Sequence, residues 1–126
     1  MDPTDRRYTS EHEWIKLAGD TAVIGITAFA QDQLGDVVYV ELPKVGDRIE
    51  SAKPFGVIES VKTASDLFAP VTGTVTAINT ELESQPQLVN DSVYEAGWLI
   101  EVKPDRPADV DQLLTAEQYA EHVAES

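Results

Sequence analysis

Few residues in this chain have the types and spacing that do chemistry, and Lys62 is the first of them. It lies in Val57-Ile58-Glu59-Ser60-Val61-Lys62-Thr63-Ala64-Ser65-Asp66-Leu67-Phe68-Ala69-Pro70. A strand-like run leads in, and an apolar run ending at Pro70 leads out. The polar stretch between them puts Lys62 near the apex of a tip. Two strands would hold a lysine there at a fixed, reachable point, as a modifying enzyme needs in order to find one lysine among several. A turn lysine is ordinarily just solvated, so position alone leaves both readings open. The second group is Glu11-His12-Glu13. As a metal site it is poor, because His12 and His122 are the only histidines and no His-x-x-x-His spacing occurs. A polar lead-in to a strand is the plainer reading. The third is Ser10, Ser60 or Ser65 with His12 and Asp66, which could be imagined as a nucleophile, a base and its orienter. No Gly-x-Ser-x-Gly elbow and no glycine-rich phosphate loop accompanies them, so catalysis by the chain itself is not expected.

These residues need elements to place them. Trp14–Leu17 and Thr21–Ile26 flank Ala18-Gly19-Asp20, which reads as a β-hairpin. Thr27–Leu34 reads as a short helix, with Thr27 as N-cap and Gly35 as its stop. Asp36–Leu42 is β-branched and aromatic and reads as a strand ended by Pro43. Phe55–Val61, Asp66–Phe68, Val71–Ile78 and Trp98–Val102 supply further extended segments. Asn79–Pro86 reads as a polar loop or short helix. Asp109–Val123 reads as a helix, with Thr115 and Gln118 forming a capping box. The tail should dock through Leu113, Leu114, Tyr119 and Val123. Gly35-Asp36-Val37 and Gly73-Thr74-Val75 echo one another, suggesting a sandwich of two similar sheets. The fold class expected is mostly β, of α+β type, with short helices and a C-terminal helical tail. One domain is expected over 1–126, with a core at about 8–103 and an acidic tail at 104–126.

Composition narrows the function classes. The chain has 126 residues, 23 acids and 9 bases, for a formal charge of −14. With so few bases and no basic stripe, binding to nucleic acid or to anionic lipid is not expected. No apolar stretch is long enough to span a membrane. The N-terminal residues resemble neither a secretory signal nor a transit peptide. The simplest reading is a bacterial cytoplasmic protein, the alternative being a processed mitochondrial form. Residues 64–126 hold only the bases Lys103 and Arg106, so the second half carries most of the excess acid. That surface gives solubility, and it could also speed association with basic patches on partners. There is no cysteine, so any thiol chemistry must arrive on something attached to the chain.

The segment Glu59-Ser60-Val61-Lys62-Thr63-Ala64-Ser65-Asp66, followed by Pro70-Val71-Thr72-Gly73, resembles the lipoyl-attachment segment of the glycine cleavage system H protein family. The likeness runs in order along the chain. Tyr8-Thr9-Ser10-Glu11-His12-Glu13-Trp14 is similar to the family's opening motif. Gly25-Ile26-Thr27, Ala30-Gln31, Leu34–Pro43 and Val45-Gly46 follow. Pro86, Leu88-Val89-Asn90, Tyr94 and Gly97-Trp98 complete it. Thr63 stands where the family more often has alanine. Related biotin carriers usually place methionine on both sides of the lysine, whereas the neighbours here are Val61 and Thr63.

The resemblance implies a lipoyl-type barrel-sandwich hybrid with lipoate joined by an amide to Lys62. It implies a non-catalytic carrier that shuttles the aminomethyl group and reducing equivalents of glycine between enzymes. Those partners would be a pyridoxal-phosphate glycine decarboxylase, a tetrahydrofolate-dependent aminomethyltransferase, dihydrolipoamide dehydrogenase and a lipoate-attaching enzyme. Glu13 and Asp66 would line the cleft where the loaded arm parks. A donor that passes lipoyl groups to other enzymes on the same fold is the alternative function.

Overall fold

A computed structural model describes residues 2–125. Two antiparallel sheets make up the fold. The larger contains β1 (Arg7–Tyr8), β2 (Glu13–Ala18), β3 (Thr21–Ile26), β9 (Ile100–Pro104), β8 (Gly73–Ile78) and β5 (Arg48–Ile49), in that spatial order. The smaller contains β4 (Val37–Glu41), β6 (Pro54–Ser60) and β7 (Ala64–Phe68), in chain order. Neither sheet closes on itself, and together they form the lipoyl-type sandwich expected. The echo between Gly35 and Gly73 does not mark two similar sheets, because the sheets have six strands and three. Each glycine meets a local demand: Gly35 precedes β4 with φ 78°, while Gly73 lies against the Lys103 carbonyl.

Alternation along the strands builds the core. Ile24, Ile58, Leu67, Val75, Ile100 and Val102 turn inward, where each is almost fully buried. Burial of such a side chain contributes about 1.5–3 kcal/mol. In the chain, α1 (Ala28–Leu34) joins β3 to β4, and α2 (Leu88–Asp91) lies between β8 and β9. Thr27 caps α1 by accepting from the Ala30 N–H, and the Gly35 N–H closes its other end on the Gln31 carbonyl. Asn79–Pro86 forms a short 3₁₀ turn over Thr80–Glu83.

The tail departs from the single helix expected over Asp109–Val123. A 3₁₀ segment covers Pro107–Gln112, and α3 runs over Ala116–Ala124. The break follows from the capping box. Thr115 accepts from the Gln118 N–H, and Gln118 accepts from the Thr115 N–H, so Thr115 must be extended and starts a new helix. The tail docks as expected. Leu114 bridges to Tyr8, and the fully buried Tyr119 stacks on Tyr8 with ring centroids 4.9 Å apart. The last strand lies two residues later than expected, at Ile100–Pro104, and β1 was not expected from so short a run.

Candidate functional site

The hairpin of β6 and β7 carries Lys62. Glu59 pairs with Ala64, and the Ser60 N–H donates to the Thr63 carbonyl at 2.8 Å, leaving Val61 and Lys62 as the loop. Two-residue hairpin loops usually need positive φ. Among the described residues, neither Val61 nor Lys62 has one. The Ser60 hydroxyl serves instead. It accepts from the Thr63 N–H at 3.2 Å and from the Lys62 N–H at 3.4 Å. The loop is also tied to the joint that leads into β4, because the Val61 N–H donates to the Asp36 carbonyl at 3.0 Å. Lys62 is exposed, and Val61 beside it is 69% exposed. The Lys62 stem passes over Gly35, where a Cβ would stand 3.4 Å from Cε.

A cavity of about 450 Å³ opens beside this hairpin. Thr63, Ser65 and Asp66 form one wall, Phe29 and Gln33 of α1 another, and His12 with Glu13 a third. The structure thus brings Glu13 and Asp66 together, 53 residues apart in sequence, with Thr63 linking their cavity to the lysine loop. Asp66 is exposed at the mouth. Glu13 is buried, and its carboxylate accepts from the Thr9 hydroxyl at 2.7 Å and from the Phe68 N–H at 3.3 Å. Burial outweighs these bonds and pushes its pKa up to about 7.

His12 has a structural post that the sequence did not reveal. Its φ is 71°, its Nδ1 is 2.8 Å from the Tyr119 hydroxyl, and its ring packs on Phe29 at 4.6 Å. Burial, then the neighbouring His122, lowers its pKa. His12 therefore joins the tail to the cavity wall. The imagined serine triad does not assemble: the Ser60 hydroxyl is used in the lysine loop, and Nδ1 of His12 faces Tyr119. Asn90 is the site residue that sequence reasoning gave no role, whereas Gly35 was read only as a helix stop and Ser60 only as an imagined nucleophile. For Ser60, its place two residues before Lys62 was the available signal.

An open two-sheet fold that presents a single braced lysine at a hairpin tip defines the lipoyl-type carrier domain. The model for the family described as glycine cleavage H-protein matches residues 6–126. The glycine cleavage system H protein of Bacillus pumilus (strain SAFR-032) is 53% identical over 123 residues, covering 98% of this chain and 97% of that one. The protein of the same name from Bacillus cereus (strain AH820) is 56% identical over 119 residues, 94% of each chain. The crystal structure of a glycine cleavage system H protein from Mycobacterium marinum superposes with a TM-score of 0.91 at 40% identity, covering 98% of this chain and 99% of that one. This chain belongs to the glycine cleavage H-protein family, the lipoyl carriers of glycine cleavage. That membership supports the carrier reading over the lipoyl-donor alternative. Among the described residues, no helix is long and apolar enough to cross a membrane.

Proposed function

We propose that Lys62 carries lipoate in amide linkage through Nζ, and that residues 1–126 act as one non-catalytic carrier domain. The observation that supports this is an exposed lysine on a two-residue loop whose backbone is pinned from several sides. The surroundings fit the group, since bare Gly35 leaves the lysine stem a clear path. When bound, lipoate supplies a disulfide that takes up the aminomethyl group and the electrons of glycine. The chain's own task is to hold the attachment point steady, so that encounters with each enzyme become local events at high effective concentration. It contributes no thiol that could exchange with the arm.

In this reading the cavity beside the loop shelters the loaded arm. Glu13, poised to titrate near neutrality, becomes fully anionic when an amine cation comes within hydrogen-bonding range. Asp66 adds a second carboxylate at the mouth, and Phe29 and Leu67 supply apolar wall that keeps water off. The partners are the pyridoxal-phosphate glycine decarboxylase, the tetrahydrofolate-dependent aminomethyltransferase, dihydrolipoamide dehydrogenase and a lipoate-attaching enzyme, in the cytoplasm. Peptide mass mapping of the protein from lipoate-replete bacteria tests the assignment. A lipoyl mass increment on the Lys62 peptide is expected. An unmodified Lys62, or the increment on another lysine, overturns it.

A further inference from the structure

The Lys62 loop is held from below by the joint between α1 and β4. Its Val61 N–H reaches the Asp36 carbonyl at 3.0 Å. Asp36 lies between two residues gripped by one side chain from α2. Asn90 donates from Nδ2 to the Gly35 carbonyl at 2.7 Å, and its Oδ1 accepts from the Val37 N–H at 2.8 Å. The partners fix the orientation of the amide, because a carbonyl only accepts and an N–H only donates. Gly35 itself has φ 78° and ψ −150°, a region essentially reserved for glycine, so its conformation needs support from outside. The Gly35 N–H closes α1 on Gln31 and Val37 pairs with Ser60 across β4 and β6, and Asn90 adds to these a single grip on both sides of Asp36.

We propose that Asn90 is a positioning residue for acylation of Lys62. It fixes the Asp36 carbonyl where Val61 can reach it, and so presents the lysine loop to the attaching enzyme in one conformation. Asparagine suits the post because it offers a donor and an acceptor on one short, neutral group. Aspartate would keep the bond from Val37 but set a carboxylate oxygen against the Gly35 carbonyl. The proposal rests on the reading that Lys62 is the lipoylated residue.

The test uses the full-length unmodified chain with purified lipoate–protein ligase, lipoate and ATP. Asn90→Ala and Asn90→Asp are compared with wild type and with Val110→Ala, a buried residue of the 3₁₀ segment packed on β2 and β9. Loss of the grip lowers the population of the competent loop, so the KM for the protein substrate rises about tenfold while kcat holds. Val110→Ala lowers thermal stability but leaves KM unchanged. By NMR, the Val61 amide exchanges faster in both Asn90 variants and not in Val110→Ala. A wild-type KM and a protected Val61 amide in the Asn90 variants overturn the proposal, as does an equal rise in KM for Val110→Ala. Peptide mapping of the wild-type product separates the two readings. Lipoate elsewhere than Lys62 defeats the attachment assignment, whereas lipoate on Lys62 with indifferent Asn90 variants defeats the positioning role alone.

Discussion

Among the described residues, two hairpins have two-residue loops, and they are built in opposite ways. Between β2 and β3, Ala18 pairs with Thr21 across Gly19-Asp20. Gly19 has φ 68°, the positive value at the first loop position that a type II′ turn requires, and nothing lies within 4 Å of where its Cβ would be. That turn is made by its own residues. Between β6 and β7 the loop residues are Val61 and Lys62, neither with turn chemistry. A serine hydroxyl, the Asp36 carbonyl just before β4 and a remote asparagine shape that loop instead. Where a turn only reverses the chain, local propensity is enough. Where the apex is the lysine proposed for acylation, its conformation is taken over by the surrounding fold, which in that proposal frees the apex residues for recognition.

The largest effect expected separates chemistry from support. Lys62→Arg keeps the charge but removes the acylatable amine, so lipoylation and carrier activity are abolished, while stability changes by no more than about 0.5 kcal/mol. Mass spectrometry and denaturant unfolding read the two halves of that statement. If this variant still supports glycine decarboxylation coupled to methylene transfer, the lysine loop loses its special place in the comparison.

Glu13 comes next, at the open end of the self-sufficient hairpin. Its carboxyl titrates near 4.5 in the unfolded chain and at about 7 when folded, so the folded state binds more protons between those values. Stability from this group is therefore present below pH 4.5, lost as pH rises, and gone above pH 7. Glu13→Gln removes this dependence. Relative to that variant, wild type loses up to about 3 kcal/mol between pH 4.5 and 8, read by urea unfolding across the range. A pH-independent difference would show that the carboxyl is ionised throughout.

The turns themselves give the smaller effects. Ser60→Ala removes the acceptor for two loop N–H groups and costs about 1–2 kcal/mol. It also slows lipoylation several-fold, because the loop loses its brace. Gly19→Ala strains the left-handed turn by about 1 kcal/mol and leaves the lipoylation rate at the wild-type value. Equal effects of the two variants on the rate would erase the contrast between the hairpins.

Much of this was legible in the sequence wherever the determinants are local. The Thr27 cap, the Gly35 stop, the Gly19 turn and the Thr115–Gln118 box are short-range signals, and each takes its expected place. The lysine tip was legible as well, along with the family resemblance. The helix break at Thr115 was missed because the apolar spacing runs through it, although the capping box itself marks a start. The roles of Asn90 and His12 were hidden for a different reason. Asn90 acts on residues 53 and 55 positions away, and His12 meets Tyr119 across nearly the whole chain. No periodicity records such contacts.

The pairing of Tyr8 with Leu114 and Tyr119 has a consequence for synthesis. Every contact described above that shapes the lysine loop lies within residues 35–90. The wall of the neighbouring cavity, through His12, waits for Tyr119. At an elongation rate of about 5–20 residues per second, the residues that brace the loop are made roughly 1–6 seconds before the residue that completes the wall. On the ribosome, the proposed attachment point can take shape before the pocket proposed to shelter its cargo exists.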